Sequence, residues 1–114
     1  MSLHHAESGE VIDIQPLGDK LPWAESVALV RTAEFEVMRM VLQQGKAVPE
    51  HRVPGDLSMQ CLEGSVEVQA GGNHLTLGEG QLVFLKGNTP YALRALDHAS
   101  LLVTMVRKPK DSDE

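Results

Sequence analysis

The chain has 114 residues, 42% of them hydrophobic, with a formal net charge of -6 and one cysteine, Cys61. That length makes one domain, because two halves would each be too small to bury an adequate core, and the hydrophobic fraction is that of a globular rather than a disordered chain. The negative charge argues against nucleic acid and anionic membrane as partners, since both select basic patches. A lone cysteine leaves no internal disulfide and no thiolate metal cluster. No apolar run approaches the roughly 20 residues that span a bilayer. The opening residues carry neither the basic nor the apolar region of an export signal, so the expected location is cytoplasmic.

Residues 1–9 read as a flexible N-terminal arm, in which the pair His4 and His5 is expected to be solvated rather than metal-bound. Residues 10–15, with Val11, Ile12 and Ile14, read as a short first strand. Pro16, Gly18 and Pro22 punctuate a loop, and Trp23 after it is expected to cover one end of the core. Residues 25–44 admit two readings. Ala28, Leu29, Arg31, Met38 and Met40 favour a helix stopped by Gly45. The β-branched residues Val27, Val30, Thr32, Val37 and Val41 favour strands, as does the alternation of Phe35 and Val37 with Glu34 and Glu36. Propensity alone leaves the two even.

From Gly45 onward the pattern is plainer. Residues 57–62 form a short run between Pro54-Gly55-Asp56 and Glu63-Gly64, and residues 65–70 alternate, with Val66, Val68 and Ala70 on one face. Gly71-Gly72-Asn73 makes a tight hairpin turn leading into residues 74–77. Residues 81–85, 91–96 and 100–107 follow as strands separated by turns. Short strands at this spacing imply an all-β sandwich or barrel. Residues 108–114 read as a disordered charged tail, leaving residues 10–107 as the folded domain.

The stretch from Gly45 through His51 to Leu62-Glu63-Gly64 resembles the first motif of the cupins, in which a glycine leads to a His-x-His pair, then a glutamate, then a closing glycine. A second stretch, from Gly80 through Lys86, Gly87 and Asn88 to Pro90 and Tyr91, resembles the second cupin motif, in which a glycine leads to Pro-x-Gly and then a histidine. Order and separation match the family, and the resemblance covers most of the chain. It implies a double-stranded β-helix, the jelly-roll-like cupin barrel. It also decides the contested segment in favour of strands, because such a barrel needs sheet on both sides of Gly45. A homodimer is implied as well, with the strand at Val11 to Ile14 adding to a partner's exposed edge.

The departures from the family pattern bear on chemistry. His51 stands at the first metal-ligand position, but Val53, Leu57 and Tyr91 stand where the second histidine, the glutamate and the last histidine would be. Lys86 and Asn88 replace the proline and glycine of the second motif's turn, which Asn88 can still accommodate because asparagine tolerates a left-handed backbone. A metal needs three or four converging donors, so no metal and no other cofactor is expected. His74 and His98 fall at a hairpin and in a turn, away from the barrel centre.

What remains is a predicted apolar cavity with a few polar groups, fit for a small, partly apolar organic ligand. Its candidate residues are His51, Gln60, Tyr91, Leu57 and Met59, with Cys61, Leu93 and Phe84 near them. Two other functions fit the same residues: a metal-independent isomerase, epimerase or cyclase using His51 as a base beside Tyr91, and a structural or interaction barrel with no functional pocket. Cys61 reads as a buried, inert thiol.

Overall fold

A computed structural model describes residues 5–107; His4 and the expected tail at 108–114 lie outside the described residues. Nine strands are β1 (Val27–Arg31), β2 (Phe35–Leu42), β3 (Ala47–His51), β4 (Leu57–Glu63), β5 (Ser65–Ala70), β6 (Asn73–Gly78), β7 (Leu82–Leu85), β8 (Tyr91–Ala95) and β9 (Ala99–Val106). They pair antiparallel into a five-stranded sheet, β1-β2-β9-β4-β7, and a four-stranded sheet, β3-β8-β5-β6. No helix among the described residues is long and apolar enough to cross a membrane.

Period-two alternation places the core between the sheets. Along β4, Leu57, Met59 and Cys61 are buried while Ser58, Gln60 and Leu62 are half-buried. Val66 and Val68 of β5, Tyr91 and Leu93 of β8, and Leu101 and Val103 of β9 complete one apolar cluster. Each of these valine, leucine and methionine side chains contributes roughly 1.5–3 kcal/mol by leaving water. The turn between β5 and β6 is the one expected: Gly71 and Gly72 both take positive φ, 56° and 86°, and Ala70 pairs with Asn73 across a two-residue hairpin.

The contested segment is two strands. β1 and β2 are joined by a turn in which the Thr32 hydroxyl oxygen accepts from the N–H groups of Glu34 and Phe35, each at 3.1 Å. Long-range pairing overrides helix propensity here, because every residue of β2 has a partner on β9.

Three local expectations are corrected. Residues 10–15 form no strand; the carbonyls of Asp13 and Gln15 instead accept from the Arg39 guanidinium at 3.5 and 3.0 Å, so they are not available to a ladder. Trp23 is 81% exposed, and Leu21, at 6%, does the covering. Both lie in a short 3₁₀ helix, Gly18–Trp23, where two positions of offset turn the side chains to different sides. Phe84, expected near the cavity, is 60% exposed, because inward Leu85 on the same strand forces its neighbour outward.

Residues 5–9 are attached to the sheet where Ala6 N–H donates to the Leu29 carbonyl at 2.8 Å. Gly64, which closes the first motif, has φ +80°, and a Cβ there would lie 2.1 Å from the His98 carbonyl oxygen. Only glycine meets both demands.

Candidate functional site

The site begins with a register irregularity. Val48 pairs with Leu93 and His51 pairs with Tyr91, so three steps along β3 correspond to two along β8. That extra residue is a bulge at Pro49 and Glu50, and it restores His51 to the face that Val48 and Tyr91 share; strict alternation would have turned it outward. The rings of His51 and Tyr91 meet at 4.6 Å between centroids, tilted by 50°, which is a favourable spacing for paired rings.

His51 is exposed, whereas Tyr91 is 3% exposed. The Nδ1 atom of His51 lies 3.2 Å from the Pro49 carbonyl oxygen. A carbonyl only accepts, so the hydrogen bond requires Nδ1–H to donate, and the neutral ring then presents Nε2 with its lone pair. The Tyr91 hydroxyl makes no hydrogen bond among the described residues, yet no buried polar side-chain atom among them is left without a partner. The hydroxyl therefore keeps a path to solvent. Burial raises its pKa, so it holds its proton as a donor.

The loops flanking this pair are tied together. Asn88 N–H donates to the Val53 carbonyl at 2.7 Å, and Gly87 N–H donates to Asp56 Oδ1 at 2.8 Å. Asn88 takes φ 67°, the left-handed conformation its side chain tolerates, so the second motif's turn survives without the family glycine.

Of the predicted site residues, the structure brings His51 and Tyr91 together. Leu57 and Met59, 4% and 1% exposed, belong to the same packed cluster as Tyr91. They fill the barrel rather than line an open cavity. Gln60 points the other way: it stands opposite Leu82 of β7 and Leu102 of β9 on the outer face of the five-stranded sheet. His74 is on an outer face too, 3.0 Å from Gln69 Nε2, and His98 Nδ1 accepts from Gln44 N–H in a turn. Two shallow grooves of about 330 and 370 Å³ share Gln69 of the four-stranded sheet; the first is lined by Glu50 and Pro90, next in the chain to His51 and Tyr91, but neither ring lines either groove.

His51 stands alone, Val53 and Leu57 are apolar, Tyr91 keeps its proton, and no group of three histidine, cysteine, aspartate or glutamate side chains converges among the described residues. The residues present do not fit a metal ion.

One polar cluster was not anticipated. Among the described residues, Arg39, Glu63 and Ser100 are the buried polar side chains. The Glu63 carboxylate accepts from Leu17 N–H at 2.9 Å, Gly18 N–H at 3.2 Å and the Ser100 hydroxyl at 2.7 Å. Burial opposes its ionisation, but these hydrogen bonds and the positive charge of Arg39 outweigh burial and hold its pKa below the ordinary value. Together Arg39 and Glu63 fasten residues 13–18 across the outside of the five-stranded sheet. The available signal was an arginine inside the apolar run of β2.

A family model described as "Cupin domain" matches residues 38–107. A conserved protein of unknown function from Streptococcus pyogenes is similar over 95% of this chain and 96% of its own, at 23% identity and a TM-score of 0.73. An RmlC-like cupin from Shewanella frigidimarina is similar over 96% of each chain, at 18% identity and a TM-score of 0.71. KdgF from a Halomonas species is similar over 75% of this chain and 80% of its own, at 18% identity and a TM-score of 0.67. No curated protein sequence matches. At these identities the likeness is one of fold.

Proposed function

The chain belongs to the cupin domain family, and on that footing we propose that it binds a small, partly apolar molecule at the barrel mouth without a metal. The observation that carries this reading is the 4.6 Å contact of exposed His51 with Tyr91, which belongs to the packed core. His51 Nε2 offers a lone pair and the Tyr91 hydroxyl a proton, so a ligand bearing both a donor and an acceptor is the complementary partner. The apolar cluster that includes Leu57 and Met59 lies beneath and favours a ligand with some hydrocarbon surface. Gln60 is outside this arrangement.

The test is a fragment screen by protein NMR on the full chain, using small aromatic and aliphatic hydroxy acids as probes. Binders are expected to shift the His51 ring and Tyr91 signals, and His51→Ala or Tyr91→Phe is expected to weaken them at least tenfold. If fragments bind only elsewhere, or bind both variants unchanged, the mouth is not the site and the chain is better described as an interaction barrel.

A second reading is supported by the same contact. An imidazole packed against a protonated phenol offers an acceptor and a donor, the groups needed to remove a proton from one position of a substrate and return it at another, the core of isomerisation or epimerisation. Solvent deuterium appearing in a bound fragment, and lost in His51→Ala, would favour catalysis over binding alone.

A further inference from the structure

The four-stranded sheet carries a connected polar cluster that the His51–Tyr91 pair does not use. In β5, Glu67 and Gln69 alternate with buried Val66, Val68 and Ala70, so both side chains face outward. Register sets Glu67 between Thr76 of β6 and Arg94 of β8, and Gln69 between His74 and Ala92. Gln69 Nε2 donates to His74 Nε2 at 3.0 Å. An amide nitrogen only donates, so that ring nitrogen carries a lone pair, and the neutral ring keeps its proton on Nδ1, 3.6 Å from Glu67 Oε2. Arg94 donates to Glu67 Oε1 at 3.4 Å from β8. Exposed pairs of this kind add little stability; what they do is fix the direction in which each group points.

The two grooves that share Gln69 adjoin this cluster. The first holds Glu50, Asn73 and His74 beside the Gly71-Gly72 turn, and the second holds Glu67 and Arg94 beside Ala47 and Ala92. Ala47 pairs with Arg94 and Ala92 with Gln69, so short side chains standing among long ones leave the second depression. Among the described residues, the Glu50 carboxylate, Gln69 Oε1 and the Asn73 side-chain amide have no partner.

From this arrangement we propose that the cluster binds a neutral polyhydroxylated ligand, a short oligosaccharide, across the two grooves. The lining disfavours other classes. None of the large exposed hydrophobic side chains borders either groove, so an apolar ligand finds no matching surface. Two carboxylates, Glu50 and Glu67, stand against one guanidinium on a chain whose net charge is -6, which disfavours an anion. A cation would satisfy Glu50 but be repelled by Arg94 and leave the amide donors unused. A hydroxyl both donates and accepts. A row of hydroxyls can therefore donate to Glu50 and Gln69 Oε1 while accepting from Asn73 and from the remaining N–H groups of Arg94. Two grooves joined at one residue suit linked sugar rings. The site is separate from the ligand reading at His51 and Tyr91, since neither ring lines either groove.

The test is an NMR titration of the full chain with maltotriose, cellotriose, xylotriose and triacetylchitotriose. At least one is expected to shift the backbone amides of Gln69, His74 and Arg94, with a Kd of about 1 mM, as suits a shallow, hydrated site. Gln69→Ala and Arg94→Ala, at exposed positions, are expected to raise that Kd at least tenfold, and His51→Ala is expected to leave it unchanged. Trigalacturonate, an acidic trisaccharide, is expected to bind more weakly than the neutral ones. No shift at these residues with any neutral probe up to about 20 mM overturns the proposal. So do shifts confined to His51 and Tyr91, a Kd unchanged in both alanine variants, a loss of binding in His51→Ala alone, or tighter binding of trigalacturonate. Should an alanine variant unfold, Glu67→Gln keeps the shape and removes the charge that holds Arg94. It is expected to weaken binding at least threefold, and unchanged binding overturns the proposal.

Discussion

Replacing Glu63 by alanine removes the acceptor for three hydrogen bonds at once: Leu17 N–H, Gly18 N–H and the Ser100 hydroxyl. Both amide hydrogen bonds are only part-buried, with Leu17 half-buried and Gly18 exposed, so water replaces part of what they lose. The Ser100 hydroxyl is fully buried, and leaving such a group unpaired costs about 1–3 kcal/mol. Arg39 also loses the charge that offsets its burial. A total near 3 kcal/mol follows, and at about 4 °C per kcal/mol for a domain of this size the Tm is expected to fall by roughly 12 °C. Glu63→Gln, which keeps the shape and one acceptor oxygen, is expected to lose about half as much. The pH dependence identifies the cause. A carboxyl whose folded pKa lies below its unfolded one contributes stability in full above the unfolded value, about 4.3, and loses it as pH falls through the lower folded value. The Tm gap between wild type and Glu63→Ala is therefore expected to be widest near pH 7 and to narrow below about pH 4. Melts followed by circular dichroism measure it, and faster hydrogen exchange at Leu17 and Gly18 would show that residues 13–18 have come loose. A Glu63→Ala variant melting within about 1 °C of wild type at pH 7 would refute the role assigned to this carboxylate.

Tyr91→Phe removes a hydroxyl with no hydrogen bond among the described residues, so chemical denaturation should find stability within about 1 kcal/mol of wild type even where fragment binding is lost. Gly64→Ala sets a Cβ 2.1 Å from the His98 carbonyl oxygen at a φ of +80°; a loss of at least 2 kcal/mol is expected in the same measurement. Met59→Ala, at a side chain 1% exposed, should cost about 2–5 kcal/mol by urea unfolding. The Cys61 thiol is buried, its pKa is raised by that burial, and its single S–H is shared between the carbonyls of Glu63 and Gly64. Native protein should accordingly resist thiol reagents that label the denatured chain at once.

Much of this molecule was legible in the sequence because the features concerned are local. Alternation in β5, the glycine pair before Asn73, the turn at Asn88 and the two spaced motifs each depend on a few neighbouring residues, and together they determine an all-β cupin barrel. Tertiary structure decided what depends on register and on which face a strand buries. A single bulge at Pro49 and Glu50 brings His51 to Tyr91, although alternation read along β3 alone would separate them. Packing between the two sheets filled the expected cavity and sent Gln60 to the opposite face from Met59. Residues 10–15, apolar enough for a strand, became a strap because a guanidinium on β2 and a carboxylate on β4 hold residues 13–18 by their backbone. Each outcome is set by groups tens of residues away, and a local pattern carries no information about partners at that distance.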